Sequence, residues 1–417
     1  MRWLLALLFV LTWLGISARR VKLLPIGRPA MAMVGAVTLV VVGQLAGPHG
    51  LGVDEALRAV EPHTLALLLG MMVVAAGLAE AGFFPWATAW ILRRFQTPAA
   101  LLWAVTLAAG LLSAVLVNDA VCLLATPLVI AAVRARALPT RPFLFALAMG
   151  ANAGSALTLS GNPQNMLVAK LSGLGYREYL ASAWIPALGA LIITAASIHF
   201  LFRRDLVAGS APAQEPPPPL DRLLLRVALL TVLGVVLANL LGAPLSLSAL
   251  AAATVVLLAS RRRAEHLLTQ VDWSVLLFFA ALFVMVAALQ RTGLPAEWLG
   301  ELTPPTASAA VPAQGGLGVV ILLSAVLSFG SQVVSNVPLI LLLEPWIRTL
   351  PDPPLAWTLT ALVSTLAGNL TLLGSVANII VIERAQERLG FFQYLKVGAL
   401  VTTGSIAFAV AALWLLR

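Results

Sequence analysis

The chain has 417 residues, 60% of them hydrophobic and 10% charged, against about 25% charged in a soluble protein of this size. That composition excludes a soluble domain. The net charge of +9 comes from basic residues scattered between apolar runs, with no basic–aromatic stripe, so nucleic acid is excluded as a partner, and the single Cys122 excludes an internal disulfide.

A bilayer core of about 30 Å takes about 20 apolar residues in helix. Met1-Arg2 followed by apolar 3–16 is expected to be a retained first span, because no small-residue cleavage site precedes Arg19-Arg20-Val21-Lys22. Further spans are expected over 30–46, 63–82, 143–169, 180–202, 223–241, 245–260, 272–290, 356–382 and 393–416. Residues 83–92, with Phe83, Phe84, Trp86 and Trp90, read as an interfacial helix. Two stretches, 99–133 and 317–350, each hold two apolar arms around a polar tip. They read as re-entrant helical hairpins, a form tolerated at membrane depth only where protein or water surrounds the turn. The Pro-rich stretch over 203–222, containing Pro216 to Pro219, reads as a semi-rigid linker.

Placing the loops at 17–29, 83–98, 134–142, 203–226, 261–271 and 383–396 in the cytoplasm puts 19 of the 26 Lys and Arg inside and 7 outside. That asymmetry follows the positive-inside rule. It sets the N-terminus outside, the linker inside, and the two hairpins entering from opposite faces.

The chain repeats itself. LTLSGNPQN at 157–165 matches LTLLGSVAN at 370–378, with Leu157/Leu370, Thr158/Thr371, Leu159/Leu372, Gly161/Gly374 and Asn165/Asn378 in register. LGYREYL at 174–180 recurs as LGFFQYL at 389–395, and Glu61–Gly82 aligns with Asp272–Gly293. The expected architecture is an all-α polytopic membrane protein of two inverted repeats, each with a re-entrant hairpin and a broken transmembrane helix. The expected units are N-terminal scaffold spans over 1–60, repeat 1 over 61–202, the linker, and repeat 2 over 223–417. The broken helices are 143–169 and 356–382.

Gly161-Asn162-Pro163-Gln164-Asn165 falls inside an apolar span. Proline lacks an N–H and glycine favours non-helical backbone, so the helix unwinds and frees carbonyls that can coordinate a cation. The helix that restarts beyond it presents N–H groups suited to an anion. Asn152, Ser155, Thr158 and Ser160 add oxygens on the approach. The hairpin tips, Asn118-Asp119 and Ser335-Asn336, are good helix N-caps. Asp119 goes further, because a carboxylate at membrane depth marks a functional site. It has no basic neighbour in sequence, it can bind Na+ or carry a proton, and its counterpart is Val337.

NDAVCLLATPLVI, NAGSALTLSGNPQN, SNVPLILLL and LLGSVAN resemble the ion transporter superfamily, which holds divalent-anion/sodium symporters, citrate–metal permeases, arsenite permeases and a sodium/proton antiporter branch. The resemblance spans about 30–416 and is strongest to bacterial anion permeases carrying GNPQN. It implies cation sites where a hairpin tip meets an unwound loop, and substrate between the tips. The implied ion ligands are Asn118, Asp119, Thr158, Gly161 and Asn165 in the first half and Ser335, Asn336, Thr371, Gly374 and Asn378 in the second. Substrate contacts fall on Asn118, Asp119, Asn162, Gln164, Ser335, Asn336 and Ser375. The first tip, Val-Asn-Asp, is closer to arsenite permeases than to the Ser-Asn-Thr of carboxylate symporters. The resemblance also raises a homodimer as an assembly.

The leading expectation is a secondary transporter of the cytoplasmic (inner) membrane that moves a small anion or oxyanion coupled to Na+ or H+. Arsenite or metalloid efflux, or Na+/H+ exchange, is the alternative. No cofactor beyond the coupling ion is expected. A membrane enzyme is disfavoured, since His49, His63, His199 and His266 lie far apart and no HExxH or GxSxG motif is present.

Overall fold

Without water in the bilayer core, each apolar segment must satisfy its own backbone N–H and C=O groups, which leaves helix as the local solution. A computed structural model describes residues 1–17, 27–206, 219–302, 316–387 and 389–417, and it contains no strand among them. In the first half the helices are α1 (Arg2–Ser17), α2 (Arg28–Gln44), α3 (Val53–Ala59), α4 (Pro62–Glu80), α5 (Phe83–Arg94), α6 (Pro98–Leu116), α7 (Asn118–Ala135), α8 (Thr140–Ser155), α9 (Pro163–Ser172) and α10 (Tyr176–Phe202). In the second they are α11 (Arg222–Leu240), α12 (Leu245–Ser260), α13 (Ala264–Thr269), α14 (Trp273–Arg291), α15 (Leu294–Leu302), α16 (Leu317–Val334), α17 (Asn336–Ile347), α18 (Pro353–Ala367), α19 (Val376–Ala385) and α20 (Phe391–Leu415). Eight of the described helices are long and apolar enough to cross a membrane.

The halves form two inverted repeats, and their packing is exchanged. In the first half α1 packs on α2, while α2 lies against α14 of the second half. Correspondingly α11 packs on α12, and α12 lies against α4. Each hairpin pairs with the broken helix of its own repeat, α6 with α8 and α16 with α18. Beyond each break the chain crosses over: α9 packs on α17 and α18, and α19 packs on α7 and α8. Neither half closes its core alone.

The hairpins turn at Val117 and Ser335, which adopt φ of 74° and 62°. A β-branched residue in this left-handed region is strained by about 1–3 kcal/mol, and such strain persists only where the surroundings enforce it. Val117 is fully buried. The first hairpin runs 98–135, slightly beyond the expected 99–133, and its added residues lie at the outer ends. The second is unequal: α16 has 18 residues and α17 has 12.

Other differences from expectation are local. The seven-residue α3 and nine-residue α15 are too short for an apolar period to announce them. Helix α10 starts at Tyr176 rather than near 180 because Gly175 donates its N–H to the Glu178 side chain at 3.2 Å. Gly390 does the same to Gln393 at 3.3 Å. The LG-x-x-[EQ]-Y-L echo is therefore a helix start used twice. Most of the linker, 207–218, lies outside the described residues. Asp221 caps α11 and donates its backbone N–H to Ala81 O at 3.1 Å.

Helices α6 and α8 touch through glycine. A Cβ on Gly154 would lie 2.2 Å from Gly110 Cα and O. Gly154→Ala is thus expected to destabilise the protein by about 2 kcal/mol or more. Thermal unfolding of the purified variant in detergent checks this, and an unchanged midpoint would show that the two helices can part without cost.

Candidate substrate and ion site

The first break decodes residue by residue. Helix α8 ends at Ser155, and α9 restarts with Asn162 as N-cap, its Oδ1 accepting from Asn165 N–H at 2.8 Å. Pro163 fills the first helical position, where its missing N–H costs nothing. A Cβ on Gly161 would lie 2.2 Å from Ser155 O, so only glycine fits there. The Asn165 amide folds back to donate to Ser155 O at 3.3 Å and Thr158 O at 3.0 Å. The second break repeats this one in register: Asn378 Nδ2 donates to Gly368 O at 2.7 Å and Thr371 O at 3.1 Å. Four of the carbonyls freed by unwinding are therefore held by the two asparagines that end the motif. Tyr179 OH adds a bond to Ala156 O at 2.6 Å.

Two buried hubs join the halves. Asn152 Nδ2 donates to Asn369 Oδ1 and to Asn378 Oδ1, both at 2.9 Å. Its Oδ1 accepts from Asn118 Nδ2 and from Ser375 Oγ, also at 2.9 Å. Thr365 stands at the equivalent place in the second repeat. Its Oγ1 accepts from Asn162 Nδ2 at 3.0 Å and Gln164 Nε2 at 3.4 Å, and it donates to Asn165 Oδ1 at 3.0 Å. Each hub reaches from its own α8 or α18 into the opposite break.

The tips dock on the same breaks. Asn118 donates its backbone N–H to Gly161 O at 3.0 Å, and Asn336 Nδ2 reaches Gly374 O at 3.4 Å. Thr371 donates to Gln332 Oε1 at 2.8 Å, and Gln332 Nε2 donates to Ala367 O at 2.9 Å. Asn336 Oδ1 is buried with no partner.

Both tips and both restarting helices line one small cavity. Its wall holds Asn118 and Asp119 from α7, Pro163 and Gln164 from α9, Val337 from α17, Val376 from α19, Ser335, Asn336, Gly374 and Ser375 from the tip and break, and Phe278 and Phe279 from α14. Four helix N-termini thus converge. Each is equivalent to roughly half a positive charge, and an anion at such ends is stabilised. Among the described residues the backbone N–H groups of Gln164, Val337 and Val376 have no protein acceptor. No Lys or Arg lines the cavity. The Asp119 carboxylate, 96% buried by its 4% exposure, has no hydrogen-bond or ion-pair partner among the described residues.

Of the sequence-derived site residues, Asn118, Asp119, Gln164, Ser335, Asn336, Gly374 and Ser375 line this cavity. Asn162, Asn165, Thr371 and Asn378 sit behind it in the latch between breaks. Thr158 donates its hydroxyl to Ala114 O and lies behind Gly161. Sequence reasoning misses Thr365, Asn369, Gln332 and the two phenylalanines. Thr365 was within reach, since it aligns with Asn152 in the repeat. Gln332, three before the second tip, gave only a faint signal.

The profile of the family described as "Citrate transporter" matches residues 6–367, most of the chain. The chain belongs to the citrate transporter family. It is accordingly a multi-pass membrane transporter for a small-molecule or ion substrate, not an enzyme. It is 30% identical to the silicon efflux transporter LSI3 of Oryza sativa subsp. japonica, with 91% of this chain and 89% of that protein aligned. It is 31% identical to the inner membrane protein YbiR of Escherichia coli K12, over 79% of this chain and 82% of that protein. In fold it is similar to the YdaH transporter of Alcanivorax borkumensis, described as having an unusual topology. The TM-score is 0.56, with 14% identity and 98% of each chain covered. The family match agrees with the resemblance drawn from the tip and break motifs.

Proposed function

We propose that the chain is a secondary active transporter that moves a small oxyanion across the inner membrane, coupled to Na+ or H+ at Asp119. The convergence of four helix N-termini on one cavity without a cationic side chain carries this reading. The N–H groups and the amides of Asn118, Gln164 and Asn336 hold oxygen atoms of the solute. Asp119 supplies the only formal charge in the wall. A bare anion about 5 Å from that carboxylate is repelled by about 3 kcal/mol at an effective dielectric of 20. A Na+ or proton on Asp119 removes the repulsion, so the cation and the solute bind together. That is the physical basis of coupling.

The test is uptake of radiolabelled arsenate, phosphate, sulfate and citrate into proteoliposomes under imposed Na+ and pH gradients. The reading expects at least one to accumulate only with a gradient. Gradient-independent uptake of every one would discard it.

A second reading has its own support. A neutral hydroxide acid, such as silicic or arsenous acid, needs no cationic partner, and the rice relative is named for silicon efflux. In that case Asp119 exchanges a proton against the solute. Outward movement of arsenite driven by an inward proton gradient, with no accumulation of the anions, would favour it.

A further inference from the structure

A second cavity meets the first at Asp119. It runs between α4, α7 and α14, past Met72, Ala76, Ala120 and Leu124, to Gln270 and Asp272. Its middle is apolar and its small wall residues leave room for water. Gln270 and Asp272 are half-buried and reach the surface at the loop bearing Arg261 and Arg263, the face that the Lys and Arg count makes cytoplasmic. Asp272 caps α14, its carboxylate accepting from Val275 N–H at 3.2 Å, and the carboxylate has no other hydrogen-bond or ion-pair partner among the described residues. Gln270 donates to Glu80 at 3.4 Å beside His266, and Glu80 also meets Arg263 at 3.4 Å.

We propose that this inner vestibule is the route by which the coupling cation reaches Asp119 from the Asp272 face, separate from the cavity that holds the solute. Resting on the coupled-transport reading, it adds a path and an entry residue. Two observations carry it. Asp119 faces both cavities, is buried, and its carboxylate has no partner among the described residues, so a charge-neutralising species must come from one of them. The vestibule has a carboxylate at each end and no cationic side chain in its wall, which repels anions and attracts cations. The solute cavity has the opposite character, with helix N-termini around it. Two routes of opposite preference meet at one carboxylate.

The experiment is chemical labelling, which needs no knowledge of the solute. Ala76→Cys and Ile380→Cys, at two positions that line the vestibule from α4 and α19, are each placed in a Cys122→Ala background and reconstituted. The face bearing the 261–271 loop is exposed to a cationic trimethylammonioethyl methanethiosulfonate or to the anionic sulfonatoethyl reagent of similar size. The cationic reagent is expected to react about tenfold faster at both positions. Asp272→Asn, which preserves the helix cap, should cut that preference severalfold, and Asp119→Asn should do so as well. Cysteines on two different helices guard against one variant misfolding. Equal rates for the two reagents, reaction only from the opposite face, or a preference untouched by Asp272→Asn would overturn the proposal. Labelling is independent of uptake, so failure here is distinct from failure of gradient-driven transport.

Discussion

Asp119→Asn is expected to abolish cation-coupled transport while leaving the fold intact. Asparagine matches the carboxylate in size, and the backbone N–H of residue 119 keeps its bond to Asn118 Oδ1 at 3.0 Å. No group among the described residues loses a partner, because the carboxylate has none there. The thermal unfolding midpoint should therefore stay near that of the native protein or rise, since a buried unpaired charge is removed. What disappears is the attraction for a cation, about 3–4 kcal/mol at 4–5 Å and an effective dielectric of 20, or a loss of about 100-fold or more in cation affinity. Gradient-driven uptake into proteoliposomes measures this. Uptake that kept its native gradient dependence would move the coupling site away from α7. A collapse in thermal stability would mean that Asp119 has an essential structural partner.

Asn152→Ala is expected to have the largest effect on stability among single substitutions at the site. It strips a partner from Asn118 Nδ2, Ser375 Oγ, Asn369 Oδ1 and Asn378 Oδ1 together. Interhelical hydrogen bonds within membranes average about 0.6 kcal/mol and reach about 1.7. Four of them, with buried groups left unsatisfied, amount to about 3 kcal/mol. Transport should fall as well, because the first tip and the second break lose their common anchor. Asn152→Thr should recover part of the loss, since threonine occupies the equivalent hub at 365. Thermal unfolding of both variants checks this. An Asn152→Ala midpoint equal to the native one would show that the latch is redundant.

The repeat made much of this architecture readable. Gly161 with Gly374, and Asn165 with Asn378, marked both breaks, and the polar tips inside apolar runs marked both hairpins. Asp119 stood out because charge is so costly at that depth. The meaning of several of these residues was not readable. The resemblance implies Asn165 and Asn378 as ion ligands; in the fold each amide closes the carbonyls of its own break and reaches the opposite hub. Which helix ends converge depends on α9 and α19 crossing to the other repeat, and periodicity within one segment says nothing of that. Phe278 and Phe279 are two apolar residues among many in α14 until the tips are brought against them. Asp272 appears in the sequence only as the start of the segment aligned with Glu61–Gly82, and only the second cavity connects it to Asp119.

In the proposed mechanism solute and cation share one cavity at the meeting of the two tips, with Asp119 as the charge that links them. Linkage between two ligands is reciprocal and is readable by binding alone. The most direct measurement is the affinity of the purified protein for arsenate, phosphate, sulfate, citrate and arsenite, across a range of Na+ concentrations and pH values, in the native chain and in Asp119→Asn. The affinity for the transported solute is expected to change by about tenfold or more with the coupling cation in the native protein and to become indifferent to it in the variant. A native affinity that does not vary with Na+ or pH, or a variant that varies as the native does, would contradict it.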